Sequence, residues 1–369
     1  MSRGRIPVAA PALLGNEKRY VNDCLDSNWI SSNGEYIKRF EAEFARYLGV
    51  KHAIACCNGT AALHLTLLAL GVGPGDEVII PSFTFVATAN AVHYTGATVV
   101  LADCEHDTWN MDVGKLESLV THNTKAIIPV PIYGHPCDMD LIMSFASKFN
   151  LYVIEDAAEA LGARYNGLLC GTIADLSTFS FYGNKTLTTG EGGMVVTNND
   201  DFAGKVRLYQ GQGMDPSNRY WFSVIGYNYR MTNIEAAIGL AQLENIDTLL
   251  DKRKTIAKLY NEYLLGIPGL VLPVVKEYAL HSYWMYSILI ENDYGMDRNE
   301  VMALLEEYGI ETRPFFYPMH CMPIYTCAYN NMLRVSEDIA SKGINLPTYF
   351  ALEQADIEFI ADVLRYRKS

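Results

Sequence analysis

The stretch HAIACCNGTAALHLTLLALGVGPGDEVIIP, His52 to Pro81, decides the fold. It opens on the strand-like run HAIACCN and passes at Gly59 into GTAALHLTLLALG, an unbroken helical pattern. It closes on DEVIIP, a second strand. The same alternation continues through the helical FTFVATANAVHYTG, the strand ATVVLADC, the strand TKAIIPVPIYG, the helical DMDLIMSFASKFN and the strand LYVIEDAA. The strands are near-continuous apolar runs with no polar alternation, as expected of strands buried on both faces. Strand–helix alternation of this kind predicts an α/β fold, a mainly parallel sheet with helices on both sides.

The pattern changes near residue 232. TNIEAAIGLAQLENIDTLLDKRKTIAKLYNEYLLG is a long helical region that should break around Asn245 to Asp247. Beyond it come an alternating strand in SYWMYSILIE, a helix in DRNEVMALLEEYG and a strand in IETRPFFYP. We expect a large α/β domain over residues 1–245, N-terminal segment included, and a smaller α+β domain over 246–369. The chain shows no repeat, low-complexity tract or flexible linker, so the two parts should pack closely.

Of the 369 residues, 50% are hydrophobic and 19% charged, which suits a sizeable core and argues against disorder. A net charge of −13 argues against nucleic acid as a partner, since phosphate backbones need a basic face. Eight cysteines (24, 56, 57, 104, 137, 170, 321 and 327) include no CxxC pair, which argues against a zinc ribbon and fits reduced thiols in the cytoplasm. The charge-free stretches His52–Gly75 and Val78–Ala102 are interrupted by glycine, asparagine or proline and read as buried strand and helix, so no membrane span is expected. The opening MSRGRIPVAAPALLGNEKRY is broken by two prolines and should not be a signal peptide.

There is no G-x-G-x-x-G and no Walker lysine motif. Three other pieces carry chemistry. In CNGTAALHL, Gly59 and Thr60 stand between a strand end and a helix start, which is either an ordinary helix cap or a phosphate cradle. In LYVIEDAAEALG a strand runs into Asp156, either the cap of a following helix or a carboxylate at the carboxyl edge of the sheet, where α/β ligand sites form. In STFSFYGNKTLTTGEGG an alternating strand carries Ser180, and Gly183 and Asn184 then turn the chain and project Lys185 beside small residues that admit a flat ligand. A phosphate cradle, a strand-end aspartate and a downstream lysine together fit a pyridoxal phosphate site, with the lysine bonding the cofactor and the aspartate pairing with its pyridine nitrogen.

These segments, with GDEVIIPSFTFVATANAV, YNYRMTNIEAAIGLAQL and TRPFFYPMH, resemble in order and over nearly the whole chain the sugar aminotransferases of the DegT/DnrJ/EryC1/StrS type. That family belongs to the fold-type-I, aspartate-aminotransferase-like pyridoxal phosphate enzymes. The resemblance implies Lys185 as the Schiff-base lysine and Asp156 as the pyridinium partner. It implies Gly59, Thr60, Ala61 and Ser180 on the phosphate, Phe85 on the ring and Glu159, one turn beyond Asp156, near the phenolic oxygen. Asn228 and Arg230 would reach the cofactor of a partner subunit, so the active unit would be a homodimer or larger. Phe85 read by itself is equally a core residue, and Arg230 a surface one.

The implied reaction moves an amino group from L-glutamate to a nucleotide-linked ketosugar destined for surface polysaccharide. Within the family, RYW, HSYW and RPFFYPMH resemble enzymes that aminate carbon 4 of a GDP-linked 4-keto-6-deoxyhexose, with UDP- and dTDP-linked sugars as the alternative. Trp29, Trp221, Tyr283, Phe316 and Tyr317 would then offer apolar walls, and Arg219 and Arg313 would offset the diphosphate. Arg313 read alone is as easily an ion-pair residue. His281 and His320 lack metal-ligand spacing and read as substrate contact or packing, with no metal expected. A histidine in place of Lys185 would mark a sugar dehydratase of the same family, and loss of lysine or aspartate a non-catalytic relative; neither change is present.

Overall fold

In the computed structural model, which describes residues 4–325 and 333–366, the His52–Pro81 stretch forms strand β1 (His52–Cys56), the helix Gly59–Ala69 and strand β2 (Glu77–Pro81). That helix is buried on nearly every face because it carries no charged residue from Gly59 to Ala69. Further strands β3 (Thr98–Ala102), β4 (Thr124–Ile127), β5 (Tyr152–Asp156), β6 (Leu176–Ser180) and β7 (Gly193–Thr197) complete a seven-stranded sheet in the order β1-β7-β6-β5-β4-β2-β3. From β6 to β3 every pairing is parallel.

Strand β7 is antiparallel to both β1 and β6. It therefore leaves β1 running in the same direction as β6 and β5. The carboxyl ends of β1, β2, β5 and β6 consequently share one edge, where Gly59, Phe85, Asp156 and Ser180 emerge. This is the edge at which ligand crevices form in such sheets.

A second, four-stranded antiparallel sheet consists of β8 (Leu270–Val271), β9 (Tyr286–Ile290), β10 (Arg313–Pro314) and β11 (Gly343–Leu346), in the order β8-β9-β11-β10. The expected break in the long helical region falls at Asn245, between helices Asn233–Leu243 and Ile246–Leu264. Two expectations change. The strand in SYWMYSILIE is five residues long and buried on both faces rather than alternating, because the side chains of Tyr286, Ile288 and Ile290 lie in the core with the Ile246–Leu264 helix and Ser287 bonds Asn345 at 2.6 Å within the sheet. The strand in IETRPFFYP shrinks to Arg313–Pro314, since Pro314 and Pro318 cannot donate to a ladder.

One face of the seven-stranded sheet packs a buried aromatic cluster, with Phe44 5.1 Å from Phe179 and 5.5 Å from Phe181, ring to ring. All seven described cysteines are free, and Cys24, Cys56, Cys104, Cys137 and Cys170 are buried; Cys327 lies outside the described residues. Among the described residues no helix is long and apolar enough to cross a membrane.

Candidate active site

The crevice at the carboxyl edge is a cavity of about 530 Å³. Its floor begins at the Gly59–Ala69 helix. Asn58 caps that helix, its Oδ1 accepting the Ala61 N–H at 2.8 Å while its carbonyl accepts the Ala62 N–H at 3.0 Å. The cap and the cradle thus coexist: the N–H groups of Gly59 and Thr60 have no carbonyl partner within the helix and stand at its positive end. Ala61 is already engaged by Asn58 and does not line the cavity.

Two glycines make the cradle tight. A Cβ on Gly59 would sit 2.9 Å from Ser180 Cβ, so the serine is packed directly against the helix start. A Cβ on Gly193 would fall 2.5 Å from the Asn58 carbonyl, so only glycine lets β7 pass that close to the cap.

Asp156 ends β5 with its side chain buried in the cavity wall. No helix follows it; Ala157–Ala163 is a series of turns, which removes the helix-cap alternative and the helical spacing assumed for Glu159. Thr88 donates to Asp156 Oδ2 at 2.8 Å. Burial pushes the Asp156 carboxyl up, while the Thr88 hydroxyl, the Lys185 charge and the Ala158 N–H draw it back down.

Lys185 follows the turn after β6 and is largely enclosed. Its Nζ lies 3.7 Å from Glu159 Oε1 and 3.6 Å from the centre of the Trp284 ring. Burial lowers the lysine's proton affinity and raises that of Glu159, and the attraction between them opposes both shifts. Glu159 Oε2 accepts the Tyr133 N–H at 2.8 Å, which fixes the carboxylate.

Phe85 is no core residue. It is 54% exposed, on the cavity wall, with its ring 5.6 Å from that of Phe316. Arg313 lines the mouth beside Phe316. Gly59, Thr60, Phe85, Asp156, Glu159, Ser180, Lys185, Arg313 and Phe316 are thus brought together in one cavity.

The remaining expected residues are not. Trp29, Tyr317 and Trp221 are exposed and do not line the cavity, nor does Arg219, whose guanidinium covers Tyr220. His281 is buried, stacked on Tyr283 at 4.0 Å, and its Nδ1 accepts the Tyr283 N–H. Asn228 and Arg230 are exposed and line no part of their own chain's cavity. His320 is held by Ser82 Oγ at 2.7 Å and Glu337 Oε1 at 2.9 Å, so both imidazole nitrogens are engaged although Cys321 is near. Thr88, Asn58, Tyr133 and Trp284 were absent from the expected set. The threonine had a local signal, as a hydroxyl four residues after Thr84 in an otherwise apolar helix start; the tryptophan, 99 residues from Lys185 in the chain, had none beyond its place in HSYW.

A family model described as the DegT/DnrJ/EryC1/StrS aminotransferase family matches residues 12–365. GDP-perosamine synthase from Caulobacter vibrioides is 53% identical over 361 residues, covering 98% of this chain and 97% of the relative. The GDP-perosamine synthase of Escherichia coli O157:H7 is 49% identical, covering 97% of each. Among solved structures, the PLP form of Spr1654 from Streptococcus pneumoniae superposes with a TM-score of 0.91 at 29% identity, covering 98% of both chains. The chain belongs to the DegT/DnrJ/EryC1/StrS aminotransferase family, is a transaminase, and has the fold-type-I architecture and pyridoxal phosphate cofactor of that family.

Proposed function

We propose that the enzyme moves the amino group of L-glutamate to carbon 4 of GDP-4-dehydro-6-deoxy-D-mannose, giving GDP-perosamine and 2-oxoglutarate. The near-full-length identity to two GDP-perosamine synthases supports this substrate over a UDP- or dTDP-linked sugar. The observation that carries the chemistry is the lysine amine of Lys185, enclosed in one cavity with a buried aspartate and a glycine-walled helix start.

That donor set fits the cofactor. The Gly59 and Thr60 N–H groups and the Ser180 hydroxyl are suited to its phosphate, in a cradle that a Cβ at Gly59 or Gly193 would fill. Asp156 is the buried carboxylate for a protonated ring nitrogen, Phe85 an exposed aromatic face for the ring, and Lys185 the covalent attachment point. Pyridoxal phosphate, when bound, supplies an electron sink that stabilises negative charge on the amino-bearing carbon.

The protein's own part is positioning and proton transfer. Thr88 and the Ala158 N–H hold the Asp156 carboxylate and favour its charged form. Burial shifts Lys185 toward the neutral amine, which takes up a proton at Nζ; Glu159 stabilises the ammonium, which gives it back. Tyr133 keeps Glu159 turned to the lysine. Arg313, at the mouth, is placed to offset a diphosphate in a chain of net charge −13.

A homodimer with shared sites accounts for Asn228 and Arg230. They adjoin a segment that exposes Tyr220 (72%), Trp221 (62%) and Ile225 (88%), an apolar surface that suits burial against a second copy. We place the division between the cofactor-binding part and the smaller part at residues 245/246, and the enzyme, with its free cysteines, in the reducing cytoplasm.

Borohydride treatment of the cofactor-loaded enzyme, followed by digestion and mass spectrometry, should find the cofactor's mass on the peptide containing Lys185. Its presence on another lysine would overturn the site. A competition among GDP-, UDP- and dTDP-linked 4-keto-6-deoxyhexoses, with glutamate as donor, should yield the GDP-linked product first. Preference for another nucleotide would overturn the substrate and leave the transaminase standing.

A further inference from the structure

Trp284 is held through both its backbone and its indole. Arg253, buried in the helix Ile246–Leu264, donates from Nη1 to the Trp284 carbonyl at 2.7 Å and to the Thr348 carbonyl at 3.1 Å. The indole Nε1–H donates to the carbonyl of Asn184, the residue just before Lys185, at 2.9 Å. The Tyr133 ring lies 6.3 Å from the indole, centre to centre, with the two planes 21° from parallel. A face of the indole lies against the lysine, with Nζ 3.6 Å from the ring centre.

The geometry points to Trp284 as the positioning residue of Lys185: its indole face holds the ammonium form at a fixed place in the cavity, the Asn184 carbonyl holds the indole, and Arg253 holds the backbone that carries it. The inference rests on the reading of Lys185 as the lysine that bonds the cofactor. An aromatic face attracts a cation through its quadrupole and offers a neutral amine little, and the attraction strengthens away from water. Trp284 is only 5% exposed, so this condition is met. The ring therefore favours a proton on Nζ while burial disfavours it, and it does so in one direction in space. The amine gains a resting position that depends on its own charge. Shape alone would not produce that dependence.

The test separates charge attraction from packing. Tryptophan analogues bearing successive fluorines keep the ring's outline and weaken its negative face step by step. The full chain is prepared with each analogue at position 284 and saturated with pyridoxamine phosphate, which leaves Lys185 unbonded. Trace acetylation across a pH series, read by mass spectrometry on the Lys185 peptide, gives the pH at which the amine loses its proton. The charged and titratable groups facing the amine and indole, namely Glu159, Asp156, Arg253 and Tyr133, stay in place throughout.

The expected result is a stepwise fall of that midpoint, reaching about one pH unit for the most fluorinated ring. An unchanged or rising midpoint would overturn the inference. Should an analogue prevent folding, Trp284→Phe is the second variant; its smaller face should lower the midpoint by less than the most fluorinated indole, and no fall would again count against the cation-holding role. Failure of the parent reading is seen separately, because borohydride would then place the cofactor on a different lysine whatever the midpoint does.

Discussion

Thr88 donates its hydroxyl to Asp156 Oδ2 at 2.8 Å, reaching from the first turn of the helix Val86–Tyr94 to the end of β5, with both side chains buried. The bond selects the carboxylate over the acid, since a hydroxyl donor favours the charged form. Thr88→Val keeps the shape and leaves a buried oxygen short of a partner, at a cost of about 1–3 kcal/mol. Asp156, already pushed up by burial, should rise further, so the acid limb of cofactor affinity moves to higher pH. Titrating the variant with pyridoxal phosphate across pH should show about tenfold weaker binding below the shifted limb. An unmoved limb would separate Asp156 from the cofactor.

Glu159→Gln isolates a charge. The amide oxygen still accepts the Tyr133 N–H, but the negative charge 3.7 Å from Nζ is gone. Because that charge raises the lysine's proton affinity against the lowering effect of burial, its removal should drop the Lys185 midpoint by about one unit or more. The same acetylation series reads the shift. An unchanged midpoint would mean that Glu159 is uncharged when the lysine is free.

The cradle's geometry predicts a contrast between two nearby glycines. A Cβ on Gly193 meets the Asn58 carbonyl carbon and oxygen at 2.5 Å, whereas at Gly183 the nearest atom is 4.0 Å away. Backbone cannot yield as a flexible side chain does, so Gly193→Ala should displace the Asn58 cap. We expect about 1–3 kcal/mol lost from stability and at least about tenfold from cofactor affinity. Gly183→Ala should stay within about 0.5 kcal/mol of the parent. Thermal unfolding and cofactor titration of the pair would decide; equal behaviour would remove the close approach as the cradle's cause.

The large sheet was legible from one feature, the apolar runs of β1 to β5, because burial on both faces leaves no room for polar alternation. Strand β7 was less legible: GMVVT is an equally continuous run, but it follows directly on the TTGEGG segment, whose small residues read as a ligand wall. Lys185, Asp156 and Gly59 were legible because each stands at the end of a strand or in the turn just after it, a position that sequence marks. Trp284 was not, since it precedes β9, far along the chain from Lys185, and only the folded chain brings its ring to the amine. Residue type was a poor guide at the mouth. Trp29, Trp221 and Tyr317 have the same aromatic chemistry as Phe85 and Phe316, and only the fold decides which of them face the cavity.

The proposal that two chains share each site can be tested by complementation. Arg230 Nη2 lies 3.4 Å from Asn228 Oδ1, and neither residue lines its own chain's cavity. If they complete the partner's site, Lys185→Ala and Arg230→Ala homodimers are each inactive, for different reasons. In a mixed dimer, the site whose lysine is intact borrows the intact arginine of the Lys185→Ala chain, and the other site has neither. Statistical exchange makes half the dimers mixed, with one working site in two, so activity should recover to about a quarter of the parent's. Exchange must be verified separately, with two affinity tags and native mass spectrometry. If each site instead uses its own Arg230, every site in the mixed dimer lacks one group, and activity stays at the background of the two homodimers despite proven exchange.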